Sequence, residues 1–259
     1  MEPIINLKGK VGLITGIANE KSISTGVAEC CANAGATLVI TYQNEKTRAF
    51  IEPVIHRLGI QDVYLMDVAR PETIADVFKT IDERHGKLDF AVHSMAFAKR
   101  DDLHGRVTDT SADGFAMAMD ISVHSFIRLA KYAEPLLIKA GGGSLVTMTY
   151  LGSEKVISNY GIMGLCKAAL EASTRYMAAE LGKNNINVNA VSPGPLMTRA
   201  ASGIAGFDNL MSEAVERSPL HALVTPEQIG SLTAFLVSDA GRMITGGIHF
   251  VDAGYNIMA

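Results

Sequence analysis

The stretch KVGLITGIANEKSISTGVAECCANAGATLVITY, residues 10–42, decides the fold. Two short runs rich in Val, Ile and Leu, at 10–15 and 37–42, enclose a segment with helical patterning at 22–34. Strands that are buried on both faces read as continuous apolar runs, so both runs fit a parallel sheet. A strand, a helix and a second parallel strand joined in this order form a right-handed βαβ unit.

The same alternation continues to the end of the chain. Further strands are predicted at 62–67, 88–94, 143–149, 186–192 and 247–252. Further helices are predicted at 44–58, 72–85, 113–139, 158–182 and 226–238. The order predicts one α/β domain over 1–259, built on a doubly wound, parallel, seven-stranded sheet of the Rossmann type.

The segment 193–224 interrupts the alternation of strands and helices. Because ligands bind beyond the carboxyl ends of such strands, we expect it to form a substrate-binding loop.

Composition narrows the class of protein. The 259 residues include 23 Lys and Arg against 27 Asp and Glu, a net charge of −4 without a basic cluster, so no nucleic-acid partner is expected. The N-terminal MEPIINLKGK lacks a signal sequence, and no apolar run approaches the length of a membrane span, which predicts a cytoplasmic protein without membrane contact.

Three cysteines without C-x-x-C spacing favour a reducing compartment. The seven histidines are scattered, so we expect no metal, and His93 is interpreted as a satisfied core histidine.

The end of the first strand has features of a phosphate-binding turn. Gly16 permits a turn out of the strand, Ser22 can cap the following helix and donate to a phosphate, and a helix N-terminus favours anions. A plain β–α turn remains the alternative. After the second strand stands Gln43, where a dinucleotide site often has an acidic residue. Its amide can bind ribose or adenine, or it can be a solvated helix cap. Because no basic residue immediately follows the strand to hold a 2′-phosphate, NADH is favoured over NADPH.

The next two strand ends extend this site. Asp67 can bind the adenine amino group and Val68 can cover the ring, while Ser94, Met95 and Ala96 would flank the ribose and nicotinamide. Purely structural strand ends are the alternative for both.

Residues 149–167, TYLGSEKVISNYGIMGLCK, carry the candidate chemistry. Tyr160 and Lys167 lie seven positions apart, about two helical turns, and therefore share one helix face. A phenol can donate a hydrogen bond or proton to a substrate oxygen, and an ammonium can hold sugar hydroxyls, which suits hydride chemistry on a carbonyl-containing substrate. An interfacial Tyr and a solvated Lys on an ordinary helix are the alternative.

These residues resemble the short-chain dehydrogenase/reductase superfamily, and within it the NADH-dependent enoyl-acyl-carrier-protein reductases of bacterial fatty-acid synthesis. The resemblance spans essentially the whole chain. It rests on Thr15-Gly16 with Ser22-Ile23, TYQN at 41–44, DV at 67–68, HSMAFA at 93–98, the 149–172 segment and GPLMTRAASGI at 194–204. The most discriminating feature is Tyr-x6-Lys. Ordinary superfamily members have Tyr-x3-Lys with an upstream Ser, whereas this chain has Gly164 four positions after Tyr160.

The resemblance implies reduction of the C2–C3 double bond of a trans-2-enoyl thioester on acyl carrier protein, with NADH. Tyr160 would hydrogen-bond the enolate oxygen, Lys167 would bind the nicotinamide ribose, and Tyr150 would line the acyl pocket. Cofactor contacts are expected at Gly16, Ser22, Ile23, Gln43, Asp67, Val68, Ser94, Met95, Ala96, Lys167, Gly194, Leu196 and Thr198. Substrate contacts are expected at Ala98, Tyr150, Tyr160, Met163, Ile204 and Phe207, with Tyr150, Tyr160 and Lys167 forming the catalytic set. A homotetramer with interfaces on the 113–139 and 158–182 helices is also implied.

One departure concerns the carrier protein. Family members often have basic residues in the substrate loop, where this chain has Ala205, Asp208 and Asn209. Docking of an acidic partner is therefore expected to be weaker, or to use another patch. Two other functions stay open: a short-chain reductase acting on a ketone or dienoyl thioester, which Gly164 argues against, and a non-catalytic NAD(P)-binding sensor, which would be expected to have lost Tyr160 or Lys167.

Overall fold

The computed structural model describes residues 3–198 and 207–258. Within them a seven-stranded sheet forms in which each neighbouring pair is parallel and the spatial order is β3-β2-β1-β4-β5-β6-β7. The strands are β1 Val11–Ile14, β2 Thr37–Tyr42, β3 Asp62–Leu65, β4 Phe90–His93, β5 Gly143–Met148, β6 Ile186–Pro193 and β7 Ile248–Val251. The order reverses between β1 and β4, which creates a crevice at the carboxyl ends of these strands. The predicted sheet is confirmed.

Nine helices connect and flank the strands in the described residues. They are α1 Ile23–Asn33, α2 Glu45–Leu58, α3 Pro71–His85, α4 Arg100–His104, α5 Ala112–Met119, α6 Ser125–Lys139, α7 Gly161–Leu181, α8 Phe207–Arg217 and α9 Pro226–Val237. None of the described helices has the length and apolar character needed to cross a membrane.

Successive strand residues enter two separate cores, one on each face of the sheet. Leu13 and Leu145 pack in the core beneath α3, α6 and α7, whereas their neighbours Ile14 and Val146 pack in the core beneath α1 and α9. A strand covered on both faces needs apolar side chains at every position. This double burial is the physical reason why the strands read as continuous Val/Ile/Leu runs.

Local sequence signals set the helix ends. Asn44 caps α2, its side-chain oxygen accepting from the Thr47 N–H at 3.0 Å, and Gly59 closes that helix in the left-handed conformation. Thr225 and Gln228 form a reciprocal capping box at the start of α9. These ends agree with the predicted boundaries within one or two residues.

Four features differ from the sequence prediction. The predicted helix 113–139 contains a π-helical turn, Asp120–His124, between α5 and α6. The segment 193–224, predicted as a loop, includes the helix α8, and the short helix α4 was not predicted at all. The helix predicted from 158 begins at Gly161, so Tyr160 occupies its N-cap position rather than its first full turns.

Candidate active site

A cavity of about 770 Å³ opens at the carboxyl edge of the sheet, where the ends of β1 to β6 meet. This volume is typical of sites for cofactors and small molecules. Most of the predicted site residues line it: Gly16, Ile23, Gln43, Asp67, Val68, Ser94, Met95, Ala96, Ala98, Tyr150, Tyr160, Met163, Lys167, Gly194, Leu196 and Thr198. Ser22 is not among the lining residues. Ile204 and the side chain of Phe207 lie outside the described structure.

The turn after β1 brings the backbone against the end of β4. Gly16 has φ +82°, and a Cβ at this position would lie 1.9 Å from the Ser94 carbonyl oxygen. Thr15 joins the same two strand ends, because its hydroxyl donates to the Val92 carbonyl at 2.9 Å. Only glycine fits this close, left-handed turn, which places Gly16 and Ser94 side by side at the floor of the cavity.

Ser22 occupies the N-cap position of α1 as predicted, but its side chain makes no capping bond. Instead its hydroxyl oxygen accepts from the N–H groups of Ala18 and Asn19, both at 3.0 Å. These two bonds hold the 18–22 loop around the Ser22 hydroxyl. Ala18 and Ile23 line the cavity. Because the Ser22 side chain does not bond the N–H groups at the start of α1, these groups are suited to an anionic group in the cavity.

The outer end of the cavity is formed by the strand ends of β2 and β3. Gln43 is exposed at the rim, and Asn44 rather than Gln43 caps the following helix. Lys46, three positions after Gln43 in α2, also lines this end. The Val68 carbonyl accepts from Arg128 at 2.8 Å, and Arg128 also holds both carboxylate oxygens of Asp120 at 2.8 and 3.1 Å.

The inner end of the cavity carries the two tyrosines and the lysine. The rings of Tyr150 and Tyr160 meet edge to face, with centroids 5.0 Å apart. The Tyr150 hydroxyl is buried and has no hydrogen-bond partner among the described residues. A buried polar group is rarely left unpaired, so this hydroxyl marks a place where a bound molecule can contribute a partner.

Burial sets the protonation of these groups. Desolvation raises the pKa of both tyrosines well above the usual value, so each remains a neutral phenol able to donate a hydrogen bond. Desolvation also lowers the pKa of Lys167 to about 8, against the opposing charges of Cys166 and Glu171. Its ammonium donates to the Met148 carbonyl at 2.8 Å, which fixes the side chain beside the end of β5.

Sequence reasoning missed Glu171, which is buried one helical turn after Lys167. Its carboxylate accepts from the Thr149 hydroxyl at 2.6 Å. Together the bonds from Lys167 to Met148 and from Thr149 to Glu171 join α7 to the strand end that carries Tyr150. A charged residue at i+4 from Lys167 was the signal available in the sequence.

The geometry also explains the Tyr-x6-Lys spacing. A Cβ added at Gly164 would lie 2.8 Å from the Gly152 carbonyl oxygen, and one added at Gly152 would lie 2.5 Å from the Tyr160 ring. The turn at 151–153 therefore packs directly on α7 beneath Tyr160. A lysine four positions after Tyr160 would not fit there.

Helix α8 packs beside Tyr150. Ala214 on α8 packs with Leu151 and Tyr255 in a small apolar cluster that Tyr150 also contacts. Arg217 lies over the Tyr255 ring at 6.0 Å and pairs with Glu213. The cluster attaches the end of the 193–224 segment to the strand ends that form the cavity.

Cysteine and metal predictions concern the rest of the molecule. Cys31 and Cys166 are buried, Cys30 is partly buried, and all three are free thiols. In the part of the chain that the structure describes, no cluster of three or more His, Cys, Asp or Glu side chains could hold a metal ion. His93 is fully buried with both ring nitrogens hydrogen-bonded, which confirms its interpretation as a satisfied core histidine.

The comparison with known families matches this architecture. A family model described as enoyl-(acyl carrier protein) reductase matches residues 16–256, nearly the whole chain. The chain belongs to the enoyl-(acyl carrier protein) reductase family. Its similarity to curated members covers whole chains. The enoyl-(acyl carrier protein) reductase (NADH) of Rickettsia felis is 45% identical over 97% of this chain and 96% of its own. That of Nostoc is 43% identical over 98% and 99%.

Solved structures of the enoyl-(acyl carrier protein) reductase family agree with the fold. The Anaplasma phagocytophilum reductase in complex with NAD superposes with a TM-score of 0.93 and 41% identity, over 98% of this chain and 96% of that one. The Bacillus cereus reductase, solved with NADP⁺ and indole naphthyridinone, gives a TM-score of 0.94 and 40% identity, over 97% of this chain and 98% of that one.

Proposed function

We propose that this protein reduces the C2–C3 double bond of trans-2-enoyl thioesters carried on acyl carrier protein, with NADH, in the elongation cycle of fatty-acid synthesis. The observation that carries the proposal is the joint placement of the buried Tyr160 and Lys167 side chains in one cavity, with a packing at Gly164 that excludes a lysine four positions after Tyr160. Relatives named as NADH-dependent enoyl-(acyl carrier protein) reductases over their whole length support it.

The lining residues fit a dinucleotide stretched across the strand ends. The Gly16 turn and the start of α1 would hold the phosphates, Asp67 and Val68 the adenine, and Lys167 the nicotinamide ribose. When bound, NADH supplies the hydride that adds to C3 of the substrate. The inner wall from Ser94 to Ala96, together with Gly194, Leu196 and Thr198, would orient the nicotinamide and exclude water.

Tyr160 is the proposed donor to the substrate. As hydride adds to C3, negative charge develops on the thioester oxygen, and a neutral buried phenol stabilises it with a hydrogen bond. Tyr150, with its unpaired hydroxyl, would line the acyl pocket with Ala98, Met163, Ile204 and Phe207. Lys167 lies about two helical turns from Tyr160, too far for strong activation of the phenol, so its proposed role is to position the cofactor.

We further propose that the carrier protein docks without the basic loop residues common in the family. Arg217, a cation at the end of α8 within the 193–224 segment, is already paired with Glu213 and held over Tyr255. The proposed domain plan is one reductase domain over 1–259 in which residues 193–224 form the substrate-binding segment. A cytoplasmic location is proposed because three free thiols suit a reducing compartment.

A homotetramer is also proposed. Large apolar side chains are exposed on α5, α6 and α7: Phe115, Ile127, Leu165 and Tyr176 are 44%, 39%, 44% and 80% exposed. Exposed apolar side chains on neighbouring helices are suited to an interface between subunits. Light scattering coupled to gel filtration measures the assembly, and a monomeric mass at micromolar concentration would contradict it.

Reduction is tested by following NADH absorbance with a trans-2-enoyl thioester on acyl carrier protein and, separately, on coenzyme A. Tyr160→Phe removes the donor without changing the ring and is expected to lower kcat by roughly 10²-fold or more while leaving NADH affinity unchanged. Lys167→Ala is expected to weaken NADH binding. NADPH is expected to be the poorer cofactor. NADH binding without oxidation by either thioester would refute the proposed function.

A further inference from the structure

His93 lies at the end of β4, directly before the cavity wall, yet its side chain is not part of the cavity lining. The ring is fully buried between two hydroxyl groups, themselves fully buried. Nδ1 lies 2.9 Å from the Thr147 hydroxyl on β5, and Nε2 lies 2.8 Å from the Ser125 hydroxyl at the start of α6. The imidazole therefore spans a strand and a helix.

The direction of the hydrogen bonds follows from their chemistry. The Ser125 hydroxyl donates to the Ile121 carbonyl at 2.6 Å, and a carbonyl can only accept. Ser125 must then accept from His93, which places the ring hydrogen on Nε2 and leaves Nδ1 to accept from Thr147. Burial, with the nearby Lys167 charge, lowers the pKa of His93 to about 3, so the ring stays neutral.

This chain of bonds ends on the π-helical turn that faces the cavity. Ile121 in that turn lines the cavity. The next residue, Ser122, is bonded to the wall itself, because its hydroxyl accepts from the Phe97 N–H at 3.0 Å and lies 3.2 Å from the Phe97 carbonyl. The wall from Ser94 to Ala98 is thus connected to the turn at both ends, through His93 at one and Ser122 at the other.

We propose that His93 is a positioning residue for reduction, which holds the 94–98 wall in register with Ile121 in the cavity lining. The proposal rests on the proposed function, since that wall is where the nicotinamide would lie. A π-helical turn is a local departure from helical packing and often lies at a functional site. Small displacements of groups that align reacting atoms strongly reduce the rate. Loss of these hydrogen bonds should therefore lower kcat more than it weakens substrate binding.

A matched pair of variants at Thr147 tests these hydrogen bonds without changing a residue of the cavity lining. Thr147→Val keeps the shape and removes the hydroxyl, whereas Thr147→Ser keeps the hydroxyl and removes a methyl group. Rates are normalised to NADH-binding sites measured by fluorescence titration. We expect Thr147→Val to lower kcat about tenfold with KM for the thioester within about twofold, and Thr147→Ser to retain wild-type kcat within about twofold. The isotope effect on kcat with NADH deuterated at the transferred position should rise in the Val variant.

Ser125→Ala removes the other partner and is expected to give the same pattern, which keeps the test open if the Val variant folds poorly. A purely structural role would lower the thermal midpoint of both variants with kcat per bound NADH unchanged, and would overturn the proposal. Failure of the unmodified enzyme to oxidise NADH would instead count against the proposed function.

Discussion

Replacing Lys167 with Met is expected to stabilise the folded protein at pH 7 while disabling the proposed cofactor site. Lys167 is 7% exposed, and its burial lowers its pKa from 10.5 to about 8. Since each tenfold change in an acid constant is worth 1.36 kcal/mol, holding the ammonium in the fold costs about 3 kcal/mol relative to the unfolded chain. Methionine has a similar length and carries no charge.

The bond from Lys167 to the Met148 carbonyl offsets part of this gain. A hydrogen bond from a charged donor contributes about 2 kcal/mol, so the variant should be more stable than the unmodified protein by about 1 kcal/mol at pH 7. This is stability that the protein gives up for a charge in its cavity.

The pH dependence gives the sharper test. Below pH 8 the lysine is charged in both the folded and the unfolded protein, so the whole penalty is present. Between pH 8 and 10.5 the unfolded chain binds more protons than the folded one, so the stability of the unmodified protein rises with pH. The advantage of Lys167→Met should therefore shrink over this range and vanish well below pH 10.5.

Urea unfolding of both proteins at equal concentration, at pH 7 and pH 9.5, measures the difference. Other groups that titrate in this range are common to both proteins and cancel. An advantage that does not change with pH, or a variant less stable at pH 7, would refute the reasoning that the buried charge is the dominant cost.

Two further predictions concern backbone and surface contacts. Gly16→Ala is expected to lower stability by about 3 kcal/mol and to weaken NADH binding, because its Cβ would meet a carbonyl at 1.9 Å and its φ is positive; the control Gly59→Ala, also at positive φ but with open space, should cost only about 1 kcal/mol, and equal losses in urea unfolding would contradict the steric argument. Arg128→Gln is expected to cost about 2 kcal/mol at pH 7 through its bonds to Asp120 and Val68. Burial raises the pKa of Asp120, but hydrogen bonds from Arg128 and His124 outweigh it and lower the pKa below 3.8. The loss of stability in Arg128→Gln should therefore narrow as the pH falls below that value. A loss that is the same at pH 3 as at pH 7 would exclude this pair as its source.

The cofactor half of the site was largely predictable because its residues are tied to strand ends. Once the strands are located, parallel pairing brings Gly16, Gln43, Asp67 and Ser94 to one edge, and the cavity lining confirms that they lie there. Their individual contacts with NADH stay predictions. The absent capping bond of Ser22 shows the limit of local rules, since the loop before α1 folds back onto its hydroxyl.

Elements with no local periodic signal escaped the sequence analysis. The π-helical turn inserts one extra residue into a helix that otherwise keeps its apolar pattern, so 113–139 reads as a regular helix. Helix α8 was hidden in a segment rich in glycine and proline. Glu171 reads as an ordinary helix surface residue until the fold places Thr149 against it.

The sequence by itself determined the strand–helix order, the two-sided core and the Tyr-x6-Lys spacing, because these depend on which side chains follow one another along the chain. Tertiary structure alone decided that Tyr150 lies edge-on to Tyr160, that Lys167 loses part of its basicity, and that His93 connects β4 to the π-helical turn. These properties arise from contacts between residues 10 to 54 positions apart and from the water that such contacts remove. Local sequence patterns show neither the distances between these residues nor the loss of water around them.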